Sequence, residues 1–146
     1  MQKILPILLA LLLGGLLPIQ ATINGKLGKT MGSPIVAAVI SFAVGMVLIL
    51  LYAMVTKTPL NLPAAKDTQW YYWLGGIIGV LYVTAIIYLV PILGAGLAFA
   101  LIVAGQMCVS VWMDKMGFLG ISVVPLTPQK IAGLVLILIG VFLLKK

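Results

Sequence analysis

The sequence contains no histidine, arginine or glutamate, and its only acidic residues are Asp67 and Asp114. It has a single cysteine, Cys108, so no disulfide can form within one chain. Active sites and metal sites are built largely from these residue types. No metal constellation, nucleophile–base pair or phosphate-binding loop can be assembled from what remains. We therefore expect no cofactor, no metal and no enzymatic activity.

The sequence consists mainly of hydrophobic residues. Of its 146 residues, 64% are hydrophobic and 8% are charged, and the mean hydropathy is +1.31. A soluble domain of this size could not cover such a surface with polar side chains, which predicts an integral membrane protein in a lipid bilayer. Nine lysines give a net charge of +7, but they lie singly or in pairs at the ends of apolar runs. Lysines at the ends of apolar runs anchor helices at the membrane interface. The net charge therefore gives no reason to expect a nucleic acid partner.

The apolar runs predict an all-α fold with five transmembrane helices in one membrane domain, 1–146. The expected helices are at about 4–24, 34–55, 69–90, 94–113 and 128–144. Ser33–Pro34 and Thr127–Pro128 are typical starts of the second and fifth helices. The third and fourth helices are expected to be separated only by residues 91–93. The apolar stretch within 115–127 is too short to span and should lie along the interface or against the protein.

Polar side chains inside these runs are the candidates for function. Gln20 and Asn24 are four residues apart and share one helix face. Because an unpaired amide in hydrocarbon costs on the order of several kcal/mol, such groups are normally either paired or functional. The predicted substrate-binding residues are Gln20, Asn24, Tyr82, Thr84, Tyr88, Gln106 and Ser110. The alternative is that these groups only form hydrogen bonds between neighbouring helices.

Asp114 is the one candidate for ion or proton coupling, because a coupled carrier needs a titratable group in or near the membrane. It is expected at the end of the fourth helix, beside Lys115. A surface ion pair between these two residues is the alternative, and it would contribute little to stability.

Small residues indicate helix packing. Ser41 and Gly45 form a stripe on the second helix that is typical of close helix contact and not of ligand binding. The residues predicted to pack in a dimer are Gly75, Gly79, Gly133 and Gly140. Two prolines, Pro18 and Pro91, are the predicted hinges, because proline removes a helical hydrogen bond.

The lysines are nearly balanced across the membrane. Five helices put Lys3, Lys57, Lys66, Lys115 and Lys130 on the N-terminal side, and four lysines, Lys26, Lys29, Lys145 and Lys146, on the other. Because lysine excess sets orientation, a difference of one predicts insertion in both directions. Two copies would then pair antiparallel, giving ten helices in two inverted halves, a common transporter plan. Insertion in one orientation is the alternative.

Five segments, in order, carry a family resemblance: GGLLPIQATINGKLG, SPIVAAVISFAVG, WLGGIIGVLY, AGQMCVSVWMDKMG and KIAGLVLILIGVFLL. They resemble the five-helix YdcZ-type branch of the drug/metabolite transporter (DMT, EamA-like) superfamily. The resemblance covers nearly the whole chain and implies a multi-pass protein of the bacterial inner membrane. It also implies a homodimer of dual topology or a pair with a homologous subunit.

The chain is also distantly similar to the small multidrug resistance exporters of that superfamily. Gly133 and Gly140 are similar to the packing residues of their last, dimer-forming helix. The glutamate of their first helix, which binds protons and cationic substrates in turn, corresponds to about Gln20. Ile102 and Val103 stand where their third-helix aromatic lies. These departures argue against both proton coupling and export of cationic drugs.

The functional hypothesis is transport of a small polar or zwitterionic solute by alternating access, with the amides and hydroxyls near the dimer axis. Two alternatives stay open. A dual-topology ion channel would need a continuous lined pore. A partner subunit without transport activity of its own would need a second, differently oriented chain.

Overall fold

The computed structural model describes residues 4–59 and 67–144. In this part, the chain forms five α-helices, which are α1 (Ile4–Thr30), α2 (Pro34–Val55), α3 (Leu74–Leu93), α4 (Ala95–Met116) and α5 (Pro128–Leu144). Two short 3-10 helices, Trp70–Trp73 and Phe118–Gly120, lie before α3 and after α4. No strand occurs among the described residues, which confirms the predicted all-α fold.

Four helical segments are long and apolar enough to cross a membrane, namely α1, α2, α4 and the segment Trp70–Leu93 that ends in α3. The fifth helix, α5, has 17 residues. At 1.5 Å per residue it spans about 25 Å, slightly less than the roughly 30 Å of hydrocarbon in a bilayer. The structure therefore confirms a multi-pass membrane protein. Lys145 and Lys146, which follow α5 in the sequence, lie outside the described residues.

Three helices run past their predicted ends, and glycines mark where two of them, α1 and α4, stop. We expected α1 to end near residue 24, but it continues to Thr30, and Gly28 is a packing residue inside the helix. The glycine that follows the end of α1 is Gly32, with φ of +71°. In the same way, α4 continues to Met116 and ends at Gly117, whose φ is +62°. Glycine at such a position is the usual way to terminate a helix.

The predicted break at residues 91–93 is wrong. Pro91 lies inside α3, which continues to Leu93, and a single residue, Gly94, separates α3 from α4. So close to the helix end, proline removes only one hydrogen bond, the one its missing N–H would have donated to Ile87. Gly94 has φ 78° and ψ 152°, a conformation that is essentially restricted to glycine.

The chain divides into two compact units, Met1–Ile92 and Leu93–Lys146. In the first unit, α1 and α2 run antiparallel. Gly28, near the end of α1, lies beside Pro34 at the start of α2, whereas Asn24, one turn earlier in α1, bonds to Ser41 further along α2. The tightest point is Gly28, where an added Cβ would lie 3.2 Å from Pro34 Cα and 3.6 Å from Ala37 Cβ. A larger residue would push the two backbones apart, so glycine sets their separation.

The third helix of this unit packs on the α1–α2 pair through a small apolar core. Ile87 of α3 is buried against Ala37 and Ala38 of α2, with Leu27 and Val83 at the edge. On the α2 side, this core consists of two alanines, Ala37 and Ala38. Because alanine side chains are small, they bury little apolar surface against α3. Most of the large apolar side chains of the unit are exposed on the surface of the single chain.

In the second unit, α4 and α5 also pack side by side. The connection between them bends back on α4, where the Val124 N–H donates to the Asp114 carbonyl oxygen at 2.9 Å. The start of α5 is capped as predicted, because Thr127 Oγ1 accepts a hydrogen bond from the Lys130 N–H at 3.4 Å. At the start of α2, by contrast, Ser33 occupies the cap position without a side-chain cap bond.

Replacing Gly94 with alanine should destabilise the protein by about 1–3 kcal/mol, because alanine is strained at this positive φ. Gly96→Ala is the matched control, since Gly96 lies in α4 and an added Cβ meets nothing within 4 Å. The control should be neutral or stabilising by up to about 1 kcal/mol. Reversible unfolding in detergent micelles measures both. Equal effects of the two changes would contradict this account.

Candidate functional site

A small cavity with both polar and apolar lining residues lies in the first unit, between α1 and α3. Three of the predicted site residues line it: Gln20 and Asn24 from α1 and Tyr82 from α3. The remaining lining residues are apolar: Leu17, Ala21, Val83, Ile86 and Ile87. Its volume is about 10 Å³, which is room for about one water molecule. The structure thus brings these three polar residues together, in a space too small for a metabolite.

Asn24 is fixed in this site by α2. Its side chain is only 5% exposed, and its Nδ2 donates a hydrogen bond to Ser41 Oγ at 3.3 Å. A buried amide needs such a partner, since burial without one is costly. Ser41 was expected to serve only close packing, and its role as the partner of Asn24 was missed. The signal available was that Ser41 is the only serine or threonine between Pro34 and Val55.

Gln20 differs from Asn24 although both face the same cavity. Its side chain is exposed, and the structure gives it no hydrogen bond within the described ranges, 4–59 and 67–144. The spacing of four residues therefore places the two amides on one face, as predicted. One amide holds α1 to α2, and the other remains available to a ligand or to another chain.

The remaining predicted residues of α3 line different surfaces. Thr84 lies in a broad apolar groove between α2 and α3, whereas Tyr88 lies in a recess with Gly25 and Lys29 of α1. Thr84 and Tyr88 are four residues apart in one continuous helix, yet they line separate grooves. Neither of them lines the cavity at Gln20.

The two predicted residues of α4 belong to the second unit. Gln106 and Ser110 are both exposed on α4. Gln106 is the twelfth of the 22 residues of this helix and therefore lies at the middle of a membrane-spanning segment. Like Gln20, it makes no hydrogen bond within the part of the chain that the structure describes.

The two proline positions are helical. Pro18 lies within an unbroken α1, and Thr22 Oγ1 donates to the Pro18 carbonyl oxygen at 2.8 Å. Thr22 is therefore satisfied by its own helix and is not needed as a ligand. Pro91 lies in the last turn of α3. That these positions act as hinges stays a prediction.

Asp114 does not pair with the neighbour that the sequence suggested. Its Oδ2 lies 3.7 Å from Nζ of Lys130, at the start of α5, so the alternative of an ion pair with Lys115 is wrong. The physical reason is that adjacent residues on a helix diverge, whereas packing of α4 and α5 brings Lys130 close. Both side chains are more than a third exposed, at 35% and 40%, so the pair is weakly stabilising. A coupling role for Asp114 stays a prediction.

The glycines predicted to pack in a dimer have open space beside them. An added Cβ would meet nothing within 4 Å at any of four positions, which are Gly75, Gly79, Gly133 and Gly140. Within the chain, these glycines therefore have no neighbour that requires glycine. Contact with a second copy at these positions stays a prediction. The described residues contain no cluster of three or more His, Cys, Asp or Glu side chains that could hold a metal ion.

Comparison with known families gives one match. Residues 5–143 match the model of the DMT_YdcZ family, which is described as a proposed inner membrane exporter, YdcZ. This match confirms the resemblance to the YdcZ-type branch and its placement in the drug/metabolite transporter superfamily. No curated protein and no solved structure matches the chain.

The Asn24–Ser41 bond should be worth about 0.6 kcal/mol, the average for hydrogen bonds between membrane helices. A double-mutant cycle of Asn24→Ala and Ser41→Ala, measured by unfolding in micelles, tests this value. Thr22→Ala is the control, because Thr22 is exposed and bonds only within its own helix. It should change stability by less than about 0.5 kcal/mol. A coupling energy of zero between residues 24 and 41 would show that the bond does not hold α1 to α2.

Proposed function

Because this chain belongs to the DMT_YdcZ family of proposed inner membrane exporters, we propose that it is a drug/metabolite-type transporter. In this proposal it works as a dual-topology homodimer and moves a small polar or zwitterionic solute by alternating access. The solute is bound by neutral amide and hydroxyl groups that include Gln20, Asn24 and Tyr82. These residues come from two helices that are long and apolar enough to span the membrane.

The observation that carries the proposal is the exposure of two amides on membrane-spanning helices. Gln106, at the middle of α4, and Gln20, on α1, are exposed and without a hydrogen bond in the described parts of the chain. Lipid tails offer no hydrogen bonds, so each amide would cost several kcal/mol if it faced them alone. A polar path or a second subunit removes this cost. In an antiparallel dimer, each amide is present twice.

The size of the cavity supports alternating access. A site for a small ligand usually occupies about 300 Å³ or more, whereas the cavity at Gln20 has about 10 Å³. Binding therefore requires α1 and α3 to separate. The core that holds α3 is small, with Ile87 against Ala37 and Ala38, so separation exposes little apolar surface.

The chemistry of the cavity favours a solute without net charge. Glutamine and asparagine each offer donors and an acceptor, and tyrosine adds a hydroxyl. No charged side chain lines the cavity. A lone cation or anion would lose its hydration there without an opposite charge to replace it. A zwitterion or a neutral polar solute carries complementary groups that amides can bind.

Orientation is tested by labelling single cysteines with a membrane-impermeant reagent in a Cys108→Ala background. Lys146→Cys and Lys57→Cys are expected on opposite membrane faces, because an odd number of spans separates them. If the near balance of five lysines against four gives both orientations, about half of each variant will be labelled from outside. Full labelling at one position and none at the other would show a single orientation, and the antiparallel homodimer would be wrong.

Transport is tested in proteoliposomes with a panel of radiolabelled zwitterionic amino acids and betaine. We expect uptake of at least one solute, and Gln20→Leu should reduce it by about fivefold or more, as loss of one hydrogen bond predicts. Thr22→Val is the control on the same helix and should change uptake less than twofold. If Gln20→Leu abolishes the dimer, Gln20 serves packing. Passive ion current in planar bilayers would indicate a channel instead.

A further inference from the structure

A second recess in the first unit shares only Ile87 with the lining of the cavity described above. It lies where α1 and α3 approach their C-terminal ends and where α2 begins, and its volume is about 420 Å³. Lys29 stands in the last turn of α1, and Ile92 lies one residue before the end of α3. Gly25 and Tyr88 line the recess about one helical turn deeper. The recess therefore runs from the end of the helices into the membrane-spanning part.

The charge of this recess is positive. Lys29 is the only charged side chain that lines it, and neither of the two acidic residues of the chain does. The C-terminal ends of α1 and α3 and the N-terminus of α2 carry partial charges of about half an elementary charge each, two negative and one positive, so together they are smaller than the full charge of Lys29. Lys29 therefore makes the electrostatic potential at the mouth of the recess positive. The Tyr88 side chain, which is 46% exposed, adds a hydroxyl donor below it.

The walls below Lys29 are apolar and open. Ile87 and Pro91 line the recess, and Ile92 is 76% exposed beside them. These residues belong to a segment that is long and apolar enough to cross the membrane. An occupant must therefore be anionic at one end, beside Lys29, and apolar along its length.

We propose that this recess binds an anionic phospholipid, with the phosphate at Lys29 and the upper part of an acyl chain along Gly25, Ile87 and Tyr88. A phospholipid has this distribution of charge and hydrocarbon, and it is the molecule that surrounds a membrane-spanning helix. Lysine at a membrane surface attracts anionic headgroups, and long lysine side chains reach the interface from a helix end. This proposal does not depend on the transport activity proposed above.

The chain supplies a matched control for the charge. Lys26 is an exposed lysine one turn before Lys29, but it lies beside Pro18 and Thr22 in a separate recess. If lipid binding depends on the site and not on total charge, Lys29→Gln and Lys26→Gln will have different effects. Gly25 allows a second change, because a Cβ added there meets nothing within 4 Å. Gly25→Leu will therefore place an apolar side chain in the recess, and its Cβ meets no other atom of the chain.

The experiment is a titration of the purified full-length protein in a neutral detergent with phosphatidylglycerol or phosphatidylcholine, with bound lipid counted by native mass spectrometry. One lysine near a membrane surface predicts about fivefold tighter binding of the anionic lipid. Lys29→Gln should remove this preference, whereas Lys26→Gln should change it less than twofold. Gly25→Leu should weaken the binding of both lipids. Circular dichroism checks that the helices of each variant are intact.

Several results would overturn the proposal. Equal effects of Lys29→Gln and Lys26→Gln would mean a diffuse charge effect. Competition by glycerol 3-phosphate, a headgroup without chains, at the affinity of the lipid would mean a site for free anions. Unchanged lipid binding together with a weaker dimer in Lys29→Gln would mean that a second copy occupies the recess. Because Lys29 is exposed, Lys29→Gln keeps the test valid even if Gly25→Leu fails to fold.

Discussion

The structure depends on one constraint, which is that a polar group inside hydrocarbon must find a partner in the protein. Asn24 meets this constraint through Ser41, and Thr22 meets it through the carbonyl of Pro18. Gln20 and Gln106 do not meet it within the described residues. The chain therefore contains two kinds of polar group. One kind holds its helices together, and the other is left for something that the single chain does not supply.

The same constraint explains why the buried residues are small. Lipid is as apolar as a leucine side chain, so burying leucine between membrane helices gains little, and close backbone contact becomes the main attraction. Gly28, Ala37 and Ala38 provide such contact between α1 and α2. The third helix contributes Ile87 and, at the edge, Val83 to this core, and it also buries Ile86. In the proposed transport cycle, this helix moves relative to α1 to open the closed cavity.

Sequence reasoning succeeded where a local signal determines the structure. The Ser33–Pro34 and Thr127–Pro128 pairs marked the starts of α2 and α5, because cap and first-turn preferences depend on adjacent residues. It failed where tertiary contacts decide. A glycine that packs, such as Gly28, looks the same in the sequence as one that ends a helix. The pairing of Asp114 with Lys130 likewise depends on how α4 meets α5.

The candidate site was predictable only in part, for a related reason. The spacing of Gln20 and Asn24 determines a shared face, but helical spacing does not determine how far α3 is rotated about its axis. That rotation places Tyr82 at the cavity and Tyr88 in the recess with Lys29. In the proposal above, Lys29 therefore has two roles. It binds a lipid phosphate at this recess, and it is one of the lysines that set the charge balance across the membrane. In an antiparallel dimer, the two recesses would open on opposite membrane faces, so each leaflet would supply its own lipid. Neither orientation would then gain lipid contacts over the other, which is compatible with the near balance of lysines across the membrane.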